Sequence, residues 1–193
     1  MDLTFALRVT LGDLPGMMDG REQAESLEAA LVARARSGDR RAFGKLHHLF
    51  APMVHGILLA KVPHAEIEDL VQDVFLSALK RLDSLRDDAA FGPWLATIAR
   101  NRATDFHRRK REMDQLPEHL AAPDPPRREA RRVLETIQSL PDAYRETLIL
   151  RLVEGMTGPE IAARTGLTPG SVRVNLHRGM KLLREHLGIE VSS

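Results

Sequence analysis

Apolar positions recur at helical spacing along most of this chain, and β-branched runs are scarce. From Glu25 to about Arg111 the pattern is nearly continuous, broken at Ser37-Gly38, Pro63 and Phe91-Gly92-Pro93. Residues 112–127, EMDQLPEHLAAPDPPR, have the proline density of a linker. Helical patterning then resumes to Leu187. Residues 1–24 begin with a short apolar alternation and break at Gly12, Pro15, Gly16 and Gly20; they read as a poorly ordered leader, with Met17 or Met18 as an alternative start. The pattern predicts an all-α protein: two small helical domains, 25–111 and 128–193, joined by a Pro-rich linker over 112–127.

The strongest local signals lie between Met156 and Leu187. Gly158-Pro159 open a helix, with proline early enough that its missing N–H costs little. Ile161 and Ala162 supply its apolar side, and Gly166 suits the left-handed residue that ends it. Thr168 stands as N-cap before Pro169, opening a second helix. On that helix Val172, Leu176, Leu183 and Leu187 form one stripe, and Arg173, His177, Lys181 and Arg184 form an adjacent cationic arc of roughly 80°. This is the pattern of a helix-turn-helix with a basic second helix, suited to a DNA major groove. The bland alternative is an αα-hairpin with a solvated charged face.

Two segments of the first domain carry further chemistry. In residues 64–82, Leu70, Val71, Val74, Phe75, Ala78, Leu79 and Leu82 form a broad apolar face. Opposite it, Leu76 lies among Asp69, Gln72 and Asp73, resembling an interface core with a charged rim for a basic helical partner. A lone exposed leucine among solvated acids is the simpler reading of the same residues. In residues 91–111, Phe91, Leu95, Ile98, Ala99 and Phe106 point inward. Arg100, Asn101, Thr104, His107, Arg108 and Arg111 share the other side, combining cations for phosphates with groups able to read bases. Arg102 falls toward the apolar side, where Asp105 is a natural structural partner, and Trp94 reads as core. The basic run 108–111 also suits a solvated helix end.

Composition narrows the classes. Hydrophobic residues make up 43% and aromatics only 4%, which favours thin helical cores over a sheet. A net charge of +1 excludes a uniformly basic coat, so any DNA footprint comes from local patches. There is no cysteine, hence no disulfide or thiolate metal site, which is compatible with a cytosolic location. No apolar run approaches a membrane span, and the first residues lack signal-peptide layout. His47, His48, His55 and His64 have no carboxylate at a convincing ligand spacing, so neither metal nor cofactor is expected.

Taken in order, DLVQDVFLSALKRL, FGPWLATIARNRATDFHRRK and LPDAYRETLILRLVEGMTGPEIAARTGLTPGSVRVNLHRGMKLL, around a proline-rich linker, resemble region 2 and region 4 of the extracytoplasmic-function (ECF) sigma factors of the sigma-70 family. The resemblance covers roughly residues 27–187. It implies a cytoplasmic, non-enzymatic bacterial transcription initiation factor without the middle domain of larger sigma factors. Its first domain would grip the β′ clamp helices of core RNA polymerase through Asp69, Gln72, Asp73 and Leu76. It would also hold the melted −10 element with Arg100, Asn101, Thr104, His107, Arg108 and Arg111. A base-capturing loop is implied at Ser84–Gly92, with Asp87 and Asp88; an ordinary helix connection fits the same residues. The second domain would sit on the β flap and read the −35 element through Ser171, Arg173, Val174, His177 and Arg178, with Lys181 and Arg184 on phosphates. An anti-sigma protein is the expected regulator.

Departures matter too. Asn175 and Val174 replace a cation and a hydroxyl usual in the family's recognition helix, and Gly158-Pro159 replaces an aromatic or polar pair. The promoter sequence is therefore not inherited from relatives, and Asn175 is an open case for base reading. The rival function is a helix-turn-helix regulator acting without being a polymerase subunit; it lacks an upstream βαβ receiver or a sustained dimerisation heptad.

Overall fold

The computed structural model describes residues 20–113 and 125–188, with side chains over 26–110 and 130–188. Among these residues there are helices and turns and no strand. The first half comprises α1 (Gly20–Arg36), α2 (Arg40–Leu59), α3 (Ile67–Arg81) and α4 (Phe91–Met113). The second comprises α5 (Pro125–Ser139), α6 (Asp142–Leu152), α7 (Gly158–Thr165) and α8 (Pro169–Leu187). No described helix is long and apolar enough to cross a membrane. The leader expected over 1–24 falls outside the described residues up to residue 19, and α1 already begins at Gly20, ahead of the expected boundary. Most of the expected linker likewise lies outside them.

The punctuation works as local chemistry requires. Asp39 caps α2 by accepting from the backbone N–H groups of Arg41 and Ala42 at 2.9 and 3.1 Å. Its carboxyl is held below its ordinary range, chiefly by the Arg34 guanidinium. Phe91-Gly92-Pro93, expected as a break, is the first turn of α4, where proline needs no hydrogen bond. Thr157 and Glu160 form a capping box at the start of α7. The hydrogen bonds from the Thr157 backbone and hydroxyl hold the Glu160 carboxyl below its usual range. Gly166 ends α7 at φ 77°, a conformation L side chains avoid, and Thr168 caps α8.

In α2, Ala42, Leu46 and Phe50 form a single buried stripe. From Met53 to Ala60 every residue except His55 is buried, so this half of the helix is covered on all sides. α1, α3 and α4 cover one side; α6 covers the other. A second contact joins α4 to α7. One continuous core therefore runs through both halves, from Val32 and Phe50 to Leu148 and Ile161. At Gly56 a β-carbon would lie 2.7 Å from Leu150 Cδ2 and 2.9 Å from the Glu154 Cγ, so glycine permits the α2–α6 approach.

Polar ties stitch the same seam. His55 Nδ1 lies 2.6 Å from Glu154 Oε1, Arg164 Nη1 donates to the Leu49 carbonyl at 2.9 Å, and Gln138 Nε2 donates to the Leu59 carbonyl at 2.8 Å. The Glu154 hydrogen bond raises the His55 pKa above its ordinary 6.5, with Glu68 adding a smaller attraction against the cost of burial.

Gly56→Ala should loosen the seam and cost about 1–3 kcal/mol of stability by overpacking, read as a lower midpoint in urea. His55 supplies a pH signature. A raised folded-state pKa means that its contribution is complete below 6.5 and disappears as pH rises through the folded value. The gap in thermal midpoint between wild type and His55→Gln should be widest at acid pH and close on the alkaline side; a gap independent of pH would contradict the pair.

Candidate nucleic-acid interface

On α3, Asp69, Gln72 and Asp73 are exposed, and Leu76 is 54% exposed among them. Leu79, expected on the buried face, is 47% exposed instead. The buried arc is narrower than the apolar arc: Val74, Phe75, Ala78 and Leu82 are inside, and Leu70 and Val71 lie at its edge. Leu79 falls one turn beyond Leu76 and lengthens its stripe. That helical spacing was the signal available in the sequence.

The outer side of α4 is only partly open. Asn101, Thr104, His107 and Arg108 are exposed as expected. Arg100 is not free: Nε and Nη2 reach the Glu146 carboxylate at 3.1 and 2.6 Å, and Nη2 reaches the Thr165 carbonyl at 3.3 Å. Helical periodicity put Arg100 on the outer side, but that side is where α7 packs and where the Glu146 side chain of α6 reaches. The Thr104 hydroxyl donates to the Arg100 carbonyl at 3.0 Å, and His107 Nε2 lies 2.7 Å from the Lys61 carbonyl. Asp105 pairs with Arg108 at 3.2 Å, not with the half-buried Arg102 as expected, because it leans toward the exposed side. Trp94 packs on Phe91 at 5.9 Å between ring centroids, at the edge of the core. The Arg111 side chain lies outside the described residues.

The Ser84–Gly92 connection is built from two 3₁₀ turns, Leu82–Ser84 and Asp88–Ala90. Asp87 caps the second by accepting from the Ala89 N–H at 3.0 Å. Asp88 binds Arg36 of α1 at 2.6 Å, and the same guanidinium donates to the Leu85 carbonyl at 2.9 Å. Both acids expected at a base-capturing loop thus hold the loop's own shape. Arg36, which sequence reading passed over, anchors it.

In the helix-turn-helix, Val172, Gly179 and Leu183 of α8 face the core, with Leu176 and Leu187 half-buried. Arg173, His177, Arg178, Lys181 and Arg184 all project outward, and Val174 beside them is 41% exposed. Ser171 is exposed, but its hydroxyl lies 2.8 Å from that of Thr168, within the N-cap. Lys181 approaches Glu185 at 3.9 Å, a loose exposed pair. Asn175 is half-buried, turned from the basic arc. Leu152 and Val153, at the end of α6, are further exposed apolar residues that periodicity alone did not flag.

The comparisons with known proteins agree with this arrangement. The model of Sigma-70 region 2 matches residues 46–113, and that of Sigma-70, region 4 matches residues 130–183. The chain is 38% identical over 166 residues to RNA polymerase sigma factor CarQ of Myxococcus xanthus, covering 81% of this chain and 95% of that protein. It is 32% identical over 184 residues to the ECF RNA polymerase sigma-E factor of Haemophilus influenzae, covering 85% and 97%. Among solved structures it resembles CnrH in complex with the cytosolic domain of CnrY, with TM-score 0.63, 29% identity and coverage of 86% and 99%. It also resembles RpoE in complex with the anti-sigma factor NepR from Bartonella quintana, with TM-score 0.57, 25% identity and coverage of 77% and 98%. With a region 2 helical half followed by a region 4 helix-turn-helix, the chain belongs to the ECF sigma factors of the sigma-70 family and is a transcription initiation factor of RNA polymerase, not an enzyme.

Proposed function

We propose that this factor divides its work among three surfaces. The α3 stripe of Leu76 and Leu79, rimmed by Asp69, Gln72 and Asp73, docks on the β′ clamp helices. The apolar pair supplies the desolvated centre, and the acids steer a basic partner. The α4 surface, with Arg100, Asn101, Thr104, His107, Arg108 and Arg111, holds the melted −10 strand, and the adjoining Asp87–Asp88 turn borders the path of a flipped base. The first half, whose helices run from Gly20 to Met113 rather than over the expected 25–111, carries both of these surfaces, and the second, beginning with α5 at Pro125 rather than at 128, is seated on the β flap.

The observation that carries this reading is the outward projection of five cationic-type side chains from one buried-backed helix. Arg173 and His177 lie one turn apart in the half of α8 that approaches base edges. Val174 beside them suits a thymine methyl, and Arg178 reaches a base or the flanking backbone. Lys181 and Arg184, further along, suit phosphates. Ser171 contributes through the N-cap it shares with Thr168. The factor acts in the cytoplasm and is held by an anti-sigma protein, as the bound partners of the related structures suggest. Run-off transcription tests the whole: core polymerase plus this chain should initiate at promoters that core alone ignores.

Two substitutions test the parts. Leu76→Arg should weaken core polymerase binding by about 2 kcal/mol or more while leaving the fold intact, since the site faces outward. Unchanged affinity in a titration against core polymerase would remove α3 from the interface. In α8, Arg173→Ala should relax base preference at one −35 position, worth about 1–3 kcal/mol if the contact is bidentate to guanine. Lys181→Ala should instead weaken binding evenly and lower the salt slope by about one. Footprints of both holoenzymes on randomised −35 sequences separate these outcomes.

A further inference from the structure

Between the two halves lies an open cleft of about 630 Å³, a size typical of small-molecule sites. Lys61, Thr104, His107 and Arg108 stand on the wall of the first half, and Asp142 and Arg145 on that of the second. Three permanent cations therefore face a single carboxylate. His107 is fixed on its wall, donating from Nε2 to the Lys61 carbonyl at 2.7 Å. The cleft is thus a cationic pocket with little acid to balance it.

The one acid is shared and loosely held. Asp142 Oδ2 lies 3.7 Å from Lys61 Nζ, and its Oδ1 accepts from Arg145 Nη2. The Asp142 side chain is 69% exposed, so water screens both pairs and little is lost when they break. Arg108 leans only on its own helix, meeting Asp105 at 3.2 Å. Arg145 is the telling group. Its Nε is buried and finds no acceptor among the described residues, a cost to the fold as it stands. At Arg100 both Nε and Nη2 are filled, by the two oxygens of Glu146. At Arg145 the same edge of the guanidinium is half used, and that edge is the fork that fits two phosphate oxygens.

We propose that this cleft is a binding site for a small molecule carrying a diphosphate group, gripped by Arg145 from the second half and by Lys61 and Arg108 from the first. Two phosphate oxygens take Nε and Nη2 of Arg145, and Asp142 is released into solvent. A monophosphate carries about two charges at most, fewer than the three cations that Asp142 then leaves unbalanced. A diphosphate supplies more charge in the same small space. A DNA strand has a single charge on each phosphate and delivers less to one enclosed spot. Lys61, Arg145 and Asp142 belong to none of the three surfaces assigned to polymerase and DNA, so the site goes beyond that division of work.

The test is titration calorimetry of the full chain with inorganic pyrophosphate, at fixed ionic strength and without divalent metal. Pyrophosphate should bind one to one, and orthophosphate clearly more weakly. Arg145→Gln and Lys61→Gln should each weaken pyrophosphate by roughly tenfold or more, the scale of a lost charge-assisted hydrogen bond. Arg145→Lys should recover little of the loss, because it keeps the charge without the fork. Asp142→Asn should tighten binding by roughly threefold, since it removes a weak competing ion pair. Lys80→Gln, exposed on α3, should change nothing. Arg108→Gln, at a side chain 69% exposed, should also weaken binding and carries the test if Arg145→Gln does not fold. Absence of saturable binding, or equal affinity in wild type, Arg145→Gln and Arg108→Gln, would overturn the site. So would a loss caused by Arg173→Gln instead, which would move the anion to α8. A single-stranded oligodeoxynucleotide that depends on Arg145 while pyrophosphate does not would assign the cleft to DNA and overturn the small ligand.

Discussion

Burial of the second half of α2 on all sides is the constraint on which the rest of the molecule depends. A helix covered on one face could belong to a self-sufficient first half. From Met53 to Ala60, however, every residue but His55 is buried, and α6 supplies the cover on the far side. Separating the halves in water therefore exposes Leu59, Leu150 and their neighbours, at about 25 cal/mol for each Å² of apolar surface uncovered. The single polar side chain in that stretch, His55, is satisfied by Glu154 rather than left to pay a desolvation penalty.

The same seam bears on how a chain of net charge +1 leaves the cations of α8 facing solvent. Acids of the second half are spent at the junction: Glu146 on Arg100, Glu154 on His55 and Asp142 on Lys61. Along α8 the nearest acid is Glu185, which meets Lys181 only loosely. The cations near the start of that helix face solvent. In the first half Asp69 and Asp73 flank Leu76 on α3, while Asp105 lies on α4 itself and pairs with Arg108. Charge is thus sorted by surface rather than by domain, and one small, nearly neutral chain carries an acidic face on α3 and cationic faces on α4 and α8.

The caps and turn of the helix-turn-helix are local in origin, although α7 is also tied to the first half through Arg164 on the Leu49 carbonyl and Arg100 on the Thr165 carbonyl. The Thr157–Glu160 box, the left-handed Gly166 and the Thr168 cap are set by residues within a few positions of one another. The Ser84–Gly92 connection is similar. Its turns are local, yet its seat on α1 depends on Arg36, which is far away in sequence and bonds both the Leu85 carbonyl and Asp88.

What the sequence determined by itself follows from short-range rules. Helical period, proline and glycine punctuation, N-caps and the outward arc of α8 are encoded within one or two turns, so they could be read without a structure. The family followed from the order of three such segments. Only the tertiary structure decided which outward-facing groups remain outward. Leu79 lies beyond the reach of α2 and α4 and joins Leu76, although its spacing also fitted the core. Asp105 chose Arg108 over Arg102, since both lie three residues away and only burial separates them. Arg100 stands on the polar side of its own helix, as periodicity requires, yet is clamped by Glu146 from 46 residues away. Periodicity reports which face of a helix is polar. It carries no information about which distant helix will cover that face, because that choice is made by packing over the whole chain.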